Sequence, residues 1–273
     1  MGRRPGRSEV WRREPGPIPR TIVLKVNAGH PSLDTDAARQ ALSLAIDRAG
    51  IAAGILRAPN AAASQLLPPS VAGWHVKDLE PLRTDSAKAM ERLEAEGWAK
   101  GGEGVLTRDG HPFELTLRTF SDRPELPLVA AALQDQFRAV GIKLDVAIGN
   151  SSEIPSGHHD GSLELALFAR NFGLVPDPLG TILLDYDQKG SDWGAMNWRN
   201  DGMQTTLASL AATTDDEERR RLASSAIGIL QSELPVIPIA WYQHAAAVSS
   251  RVEGFSLDPL ERSYRLTDLE WAE

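Results

Sequence analysis

Apolar and polar residues alternate along this chain in blocks that predict a strand-helix series. The TIVLKV block at residues 21–26 is apolar and β-branched enough for a strand, and a loop follows over 27–33. In DTDAARQALSLAIDR the residues Ala38, Ala41, Leu42, Ala45 and Ile46 recur at helical spacing, with Asp34 placed as N-cap and Gly50 ending the pattern. A short second helix is expected over 51–56. Pro68, Pro69 and Gly73 in LLPPSVAGWH then exclude a helix. Residues 84–96 resume helical spacing, with Ala87, Met90 and Leu93 on one face and Gly97 as C-terminal cap.

Asp109-Gly110 supplies a hairpin turn between VLT and the alternating Phe113, Leu115, Leu117 and Thr119. From Pro124 a helix is predicted with the stripe Leu128, Val129, Ala132, Leu133, Gln136, Phe137 and Val140, closed by Gly141, and the strand IKLDVAI begins at once. Strand, amphipathic helix and strand in about 35 residues make a βαβ unit, with parallel pairing and a right-handed crossover. The class is therefore α/β.

LELALF, residues 163–168, is a further buried strand, and it ends in ARNFGLVPDP, where Gly173, Pro176 and Pro178 impose a turn. Such a loop delivers side chains to the carboxyl edge of a sheet, where α/β ligand sites lie, so it is the leading candidate site. Two more helices are expected over 202–212 and 215–233, the second with an acidic first turn suited to the helix dipole. PVIPIAWY and AAAVSS predict two short strands, partly at a sheet edge because of Pro235 and Pro238. The tail after Arg251 is expected to be mostly irregular.

Composition narrows the functional classes. The 273 residues are 42% apolar and 24% charged, which fits a globular protein, and no apolar run is long enough to cross a membrane as a helix. Cysteine is absent, which removes disulfides, thiolate metal sites and a cysteine nucleophile. Six Arg and two Glu within residues 1–20 give that segment +4, which leaves −12 on the remainder of a chain whose net charge is −8. An acidic body of this kind is a poor partner for nucleic acid. Residues 1–20 read as a disordered basic arm without the apolar stretch of a secretory leader. A tether to nucleic acid or anionic lipid is the alternative reading, and Pro5, Pro15, Pro17 and Pro19 argue against the basic helix it would use.

Enzyme chemistry finds no positive support. His158-His159-Asp160 is the one cluster of ligand-type residues, and neighbouring side chains diverge, so a surface loop is the expectation. His30, His75, His111 and His244 lack partners at metal-protease spacing, GGEGVLT lacks the ending of a phosphate loop, and the paired carboxylates sit in polar, capping contexts. No catalytic residue, metal or cofactor is assigned. Trp193 and Trp198 bracket DWGAMNWRN, which also holds Asn197, and such a segment reads equally as a ligand wall or as a core plug. Trp74, Trp98, Trp241 and Trp271 are expected to pack structurally.

RQALSLAIDRAGI, residues 39–51, resembles the signature helix of the family 5 extracellular solute-binding proteins, the peptide, nickel and opine receptors of ABC importers. That helix follows a strand ending in Asn, here Asn27. The similarity continues in order through LLPPSVAGW, DSAKAMERLEAEGW, the GVLTRDGHPFELTL hairpin, AALQDQFRAVGIKLDV, PDPLG, MNWRNDGMQTTLASLAATTD and LPVIPIAWYQHAAAVSSRVEGF, from residue 21 to 255. The resemblance implies a type II periplasmic-binding-protein-like lobe, a mixed sheet flanked by helices, over residues 21–273. Within it the second lobe proper spans 28–233, residues 21–27 and 235–273 are crossover and first-lobe remnants, and most of the first lobe is missing.

The implied function is non-enzymatic capture of a peptide or peptide-like solute between lobes and its delivery to an ABC permease, with a separately encoded first lobe as a further expected partner. The family works in the periplasm or outside the cell. This chain lacks the leader and the lipid-anchoring cysteine, reads as truncated, and as written would stay in the cytoplasm. Carried over to this sequence, the ligand wall is Arg170, Asn171, Phe172 and Gly173, with Trp193, Asn197 and Trp198 nearby. Phe172 and Trp193 would give apolar or stacking contact, and Arg170 and Asn171 polar contact with carboxylates or carbonyls. Peptide receptors often place an acid where Leu174 stands, and no His follows PDPLG as in nickel receptors. A nickel-chelate or opine lobe, or a non-transporting interaction or sensor module, are the alternatives.

Overall fold

A computed structural model describes residues 11–272. Strand β1 (Trp11–Val26) leads to helix α1 (Asp36–Ala45), a single turn α2 (Arg48–Gly50) that runs into a π-helical turn (Ile51–Ile55), and an irregular excursion through the Pro68-Pro69 segment. Helix α3 (Ser86–Ala95) and the short strands β2 (Ala99–Lys100), β3 (Leu106–Arg108) and β4 (His111–Pro112) follow. Next come β5 (Glu114–Phe120), α4 (Glu125–Ala139), β6 (Lys143–Gly149), α5 (Glu153–Asp160), β7 (Leu165–Asn171), α6 (Leu179–Tyr186), α7 (Asp201–Ala212) and α8 (Asp216–Glu233). Strand β8 (Val236–Ser249) and the small pair β9 (Val252–Glu253) and β10 (Glu270–Trp271) complete the described chain.

The main sheet has the order β6-β5-β7-β1-β8. β5 runs parallel to both β6 and β7, whereas β1 is antiparallel to β7 and to β8, so the sheet is mixed. The βαβ unit is β5-α4-β6, as the apolar spacing predicts. At its turn into β6, Gly141 has φ +81° and its carbonyl accepts from the Leu106 amide at 2.7 Å. A Cβ there would lie 2.7 Å from Leu106 Cγ. Gly141→Ala should therefore lose about 1–2 kcal/mol from the left-handed backbone alone, with the contact added, read as a lower urea midpoint at unchanged slope.

The signature segment has a structural explanation. Arg39 and Arg48 are both buried. Arg39 donates to the carbonyls of Glu233 (2.7 Å) and Leu33 (2.9 Å), and Arg48 donates to those of Pro238 (2.8 Å) and Ser43 (2.9 Å). The two guanidiniums thus tie α1 to the end of α8 and to β8, while Ala41, Leu42, Ala45 and Ile46 fill the core between them. Burial with no facing carboxylate lowers Arg48 to about 9, which leaves it charged at neutral pH.

Several expectations are corrected. β1 starts at Trp11, not at residue 21: residues 11–17 pair with 243–249, and 21–25 pair with 236–241, with a break in register between Pro17 and Thr21. Part of the segment read as a disordered arm is therefore strand, and residues 1–10 lie outside the described residues. β7 ends at Asn171 opposite Arg20, so the stretch of β1 before Arg20 pairs on one side only, where strands accept proline. The two short strands expected near the C-terminus are the single strand β8. Residues 21–26 and 236–241 lie within the sheet, and the two-stranded ribbon that leaves it is their continuation.

Smaller differences follow from tertiary context. Thr35, not Asp34, caps α1 by accepting from the Ala38 amide at 3.1 Å. α3 buries Ala89 and Leu93 in place of Ala87 and Met90, because it packs on α1, and α4 keeps Val129, Leu133 and Phe137 inward but buries Leu126 while Leu128 faces out. His158-His159-Asp160 ends helix α5 and is not a loop. Trp74 and Trp98 are buried, but Trp271 is 75% exposed on the edge of β10 and packs no core.

Candidate functional site

β5, β6 and β7 all deliver their carboxyl ends to one edge of the sheet, at Phe120, Gly149 and Asn171. A groove of about 590 Å³ opens there, lined by Phe120, Asp122, Arg123, Ser151, Phe168, Ala169, Arg170, Asn171, Leu174 and Trp193. Its aromatic face is the half-buried Trp193 ring, backed by the buried ring of Phe168, which it meets edge to face at 5.0 Å, with the largely buried Phe120 beside them.

Arg170 is the polar centre. Its Nε and Nη2 donate to the two carboxylate oxygens of Asp185 at 2.6 and 2.7 Å, and the Ser191 hydroxyl donates to the same carboxylate at 2.9 Å. Asp185 is fully buried, so this bidentate pair fixes the guanidinium plane of a residue that lines the groove. Arg123, also in the lining, lies 5.6 Å from the centre of the Tyr242 ring, and Arg20 approaches the same ring at 5.7 Å. Burial is the largest influence on Arg20 and lowers it.

The seven residues singled out from the sequence do not converge. Arg170, Asn171 and Trp193 line the groove. Gly173 lies behind it, where a Cβ would be 2.2 Å from Pro19 Cγ, so the close approach of the loop to β1 needs glycine. Asn171 Oδ1 accepts from the Gly173 amide at 2.8 Å and shapes that turn. Phe172 is 1% exposed and its amide bonds the Pro19 carbonyl, so its ring belongs to the core and offers no face to the groove.

Of the two readings for the tryptophan segment, Trp198 takes the core plug: it is buried, donates to Glu233 at 2.8 Å and meets Tyr186 edge to face. Asn197 sits at the far end of β1, where its amide donates to Asn27 Oδ1 at 2.8 Å. Residues 193–197 thus cross from the groove to the opposite edge, and only Trp193 reaches the wall. Phe120, Asp122 and Arg123 were missed. The available signal was their place at the end of the first strand of the βαβ unit and in the loop after it, the same logic that selected Arg170. Among the described residues, no group of three or more His, Cys, Asp or Glu is placed to hold a metal ion.

The arrangement is a mixed sheet flanked by helices, with an open groove at the carboxyl edge of its parallel strands. In fold the chain is similar to NikA from Brucella suis, solved in complex with Fe(III)-EDTA, with a TM-score of 0.86 and 20% identity over 96% of this chain and 53% of that one. The model of the bacterial extracellular solute-binding proteins, family 5, middle part, matches residues 5–193, and the chain belongs to that family. Among curated relatives, the oligopeptide-binding protein AppA of Bacillus subtilis is 30% identical over 114 residues, 40% of this chain and 21% of AppA. The nickel-binding protein NikA of Staphylococcus aureus is 24% identical over 243 residues, 88% of this chain and 46% of that protein. The chain spans less than half the length of these curated relatives.

Proposed function

We propose that this chain is a solute-binding lobe of an ABC-type importer and that it holds a peptide or peptide-like solute in the groove without chemical conversion. The opposing wall would come from the part of the relatives that this chain does not cover. A permease would receive the solute. The observation that carries the reading is Arg170, clamped by a buried carboxylate and lining, together with Trp193, a groove at the carboxyl edge of three parallel strands. It offers a charge-assisted donor to a carboxylate or carbonyl beside flat apolar surfaces that suit side chains. The ribbon of residues 11–17 and 243–249 leaves the sheet on the groove side and would be the crossover toward the second wall.

One wall supplies only part of the contacts and leaves the groove wet, so affinity should be low, with Kd above about 1 μM. Titration of the chain with a set of di- to pentapeptides, followed through the Trp193 indole ¹⁵N-¹H signal, tests this. The expected result is saturable displacement of that signal at high micromolar to millimolar peptide, on the order of 4–6 kcal/mol of binding free energy, weakened by Trp193→Ala in calorimetry. No displacement at millimolar peptide would remove the site. Submicromolar binding would remove the single-wall reading. Nickel with histidine, run in parallel, decides whether a chelate takes the place of the peptide.

A further inference from the structure

Lys25 stands in the middle of the sheet, on β1 opposite Ala166 of β7, and none of its side chain reaches solvent. Its ammonium donates to the carbonyls of Ser191 (2.7 Å) and Asp192 (2.9 Å) and lies 2.8 Å from His158 Nδ1 of α5. Three partners exhaust the three N–H donors of an ammonium, so His158 Nδ1 must accept and its own proton sits on Nε2. The two carbonyls belong to the residues immediately before Trp193. The backbone that presents the aromatic wall of the groove is therefore held from beneath by one buried cation.

We propose that Lys25 is a positioning residue for Trp193 and that His158 makes the hold proton-dependent: neutral imidazole completes it, and imidazolium breaks it. The part of this that concerns the groove rests on the function proposed above. The chemistry of the hold does not.

The charged neighbours are few. Asp192 and Asp185 attract the Lys25 ammonium, and burial, the larger influence, lowers it to about 7. Burial first, and the Lys25 charge second, lower His158 below its ordinary 6.5, with Asp192 opposing and His159 adding to the shift. His159 itself is exposed and pairs with Asp192 at 3.0 Å. Arg118 of β5 donates to the carbonyls of Glu153 and Ser162 at the two ends of α5.

As pH falls through the lowered His158 value, Nδ1 gains a proton and two donors face each other at hydrogen-bond distance, so the contact is complete above the ordinary 6.5 and lost as pH falls through the lower, folded-state value. As pH rises past about 7, Lys25 gives a proton to solvent. The amine keeps N–H groups for both carbonyls, and its lone pair accepts from His158 once the imidazole proton moves to Nδ1. The hold therefore survives alkali and fails in acid.

The test needs no ligand, so it stands or falls apart from the binding function. Trp193 is identified among the indole ¹⁵N-¹H signals by its loss in Trp193→Phe, and spectra of the full chain are followed from pH 8 to 5. The expected result is a one-proton displacement of the Trp193 signal with a midpoint below 6.5. His158→Gln, whose amide does not titrate and can accept from the ammonium through its carbonyl or donate to the neutral amine through its NH2, should abolish the transition. His159→Gln should preserve it, and Lys25→Met should leave the signal displaced throughout. Should Lys25→Met fail to fold, the two histidine variants decide. A wild-type Trp193 signal that does not move, an unchanged transition in His158→Gln, or loss of the transition in His159→Gln would overturn the proposal.

Discussion

Arg170→Ala is expected to lower the unfolding free energy by about 3–5 kcal/mol, because it strands the fully buried Asp185 carboxylate with only the Ser191 hydroxyl as a side-chain partner. The cost comes less from the attraction lost than from a charge left in a medium that cannot solvate it. The double variant Arg170→Met with Asp185→Leu should therefore be more stable than Arg170→Ala alone, since no charge is stranded. Urea unfolding of the three proteins measures both effects. A loss below about 1 kcal/mol for Arg170→Ala would mean that water reaches Asp185 and that the guanidinium is not held rigid for the groove.

Phe172→Ala should cost a similar amount, about 3–5 kcal/mol, as for a large aromatic removed from a close-packed interior. Leu174→Ala, two residues further along the same loop, should change stability by no more than about 0.5 kcal/mol, since Leu174 is 64% exposed on the groove rim. The contrast separates the core role of Phe172 from the wall role that family resemblance implied. Equal losses at the two positions, read as urea midpoints, would mean that the loop packs otherwise than described.

Much of the architecture was legible because it follows local periodicity. The α4 stripe, the Asp109-Gly110 turn, the β5-α4-β6 unit and the Asp215-capped helix α8 each carry their own apolar spacing or turn chemistry, and the chain folds locally as those signals direct. Residues 11–17 carried no such signal. Their extended form is imposed by the ladder with 243–249, a partner more than 220 residues away, and Pro, Gly and Arg hide a strand from any periodic reading.

The site divides in the same manner. A strand followed by a Gly/Pro loop located Arg170 and Asn171 at a sheet edge without knowledge of the sheet. Which of the next side chains turned outward was another matter: Phe172 went inward because its amide bonds the Pro19 carbonyl, and Asn197 and Trp198 went to the far edge because Asn27 and Glu233 anchor them there. The role of Lys25 was invisible, since a lone lysine in TIVLKV looks like an ordinary polar position of a strand.

The type of those elements that carry their own apolar spacing or turn chemistry, the α/β class and the family were determined by the order of residues alone, since short-range spacing and motif succession need no partner to be read. The order of strands, the ends of β1, the facing of Phe172 and the buried bonds of Lys25 were decided by the tertiary structure. Each depends on a hydrogen-bond acceptor or a packing surface supplied by a distant segment, and a buried donor adopts whatever position satisfies it there.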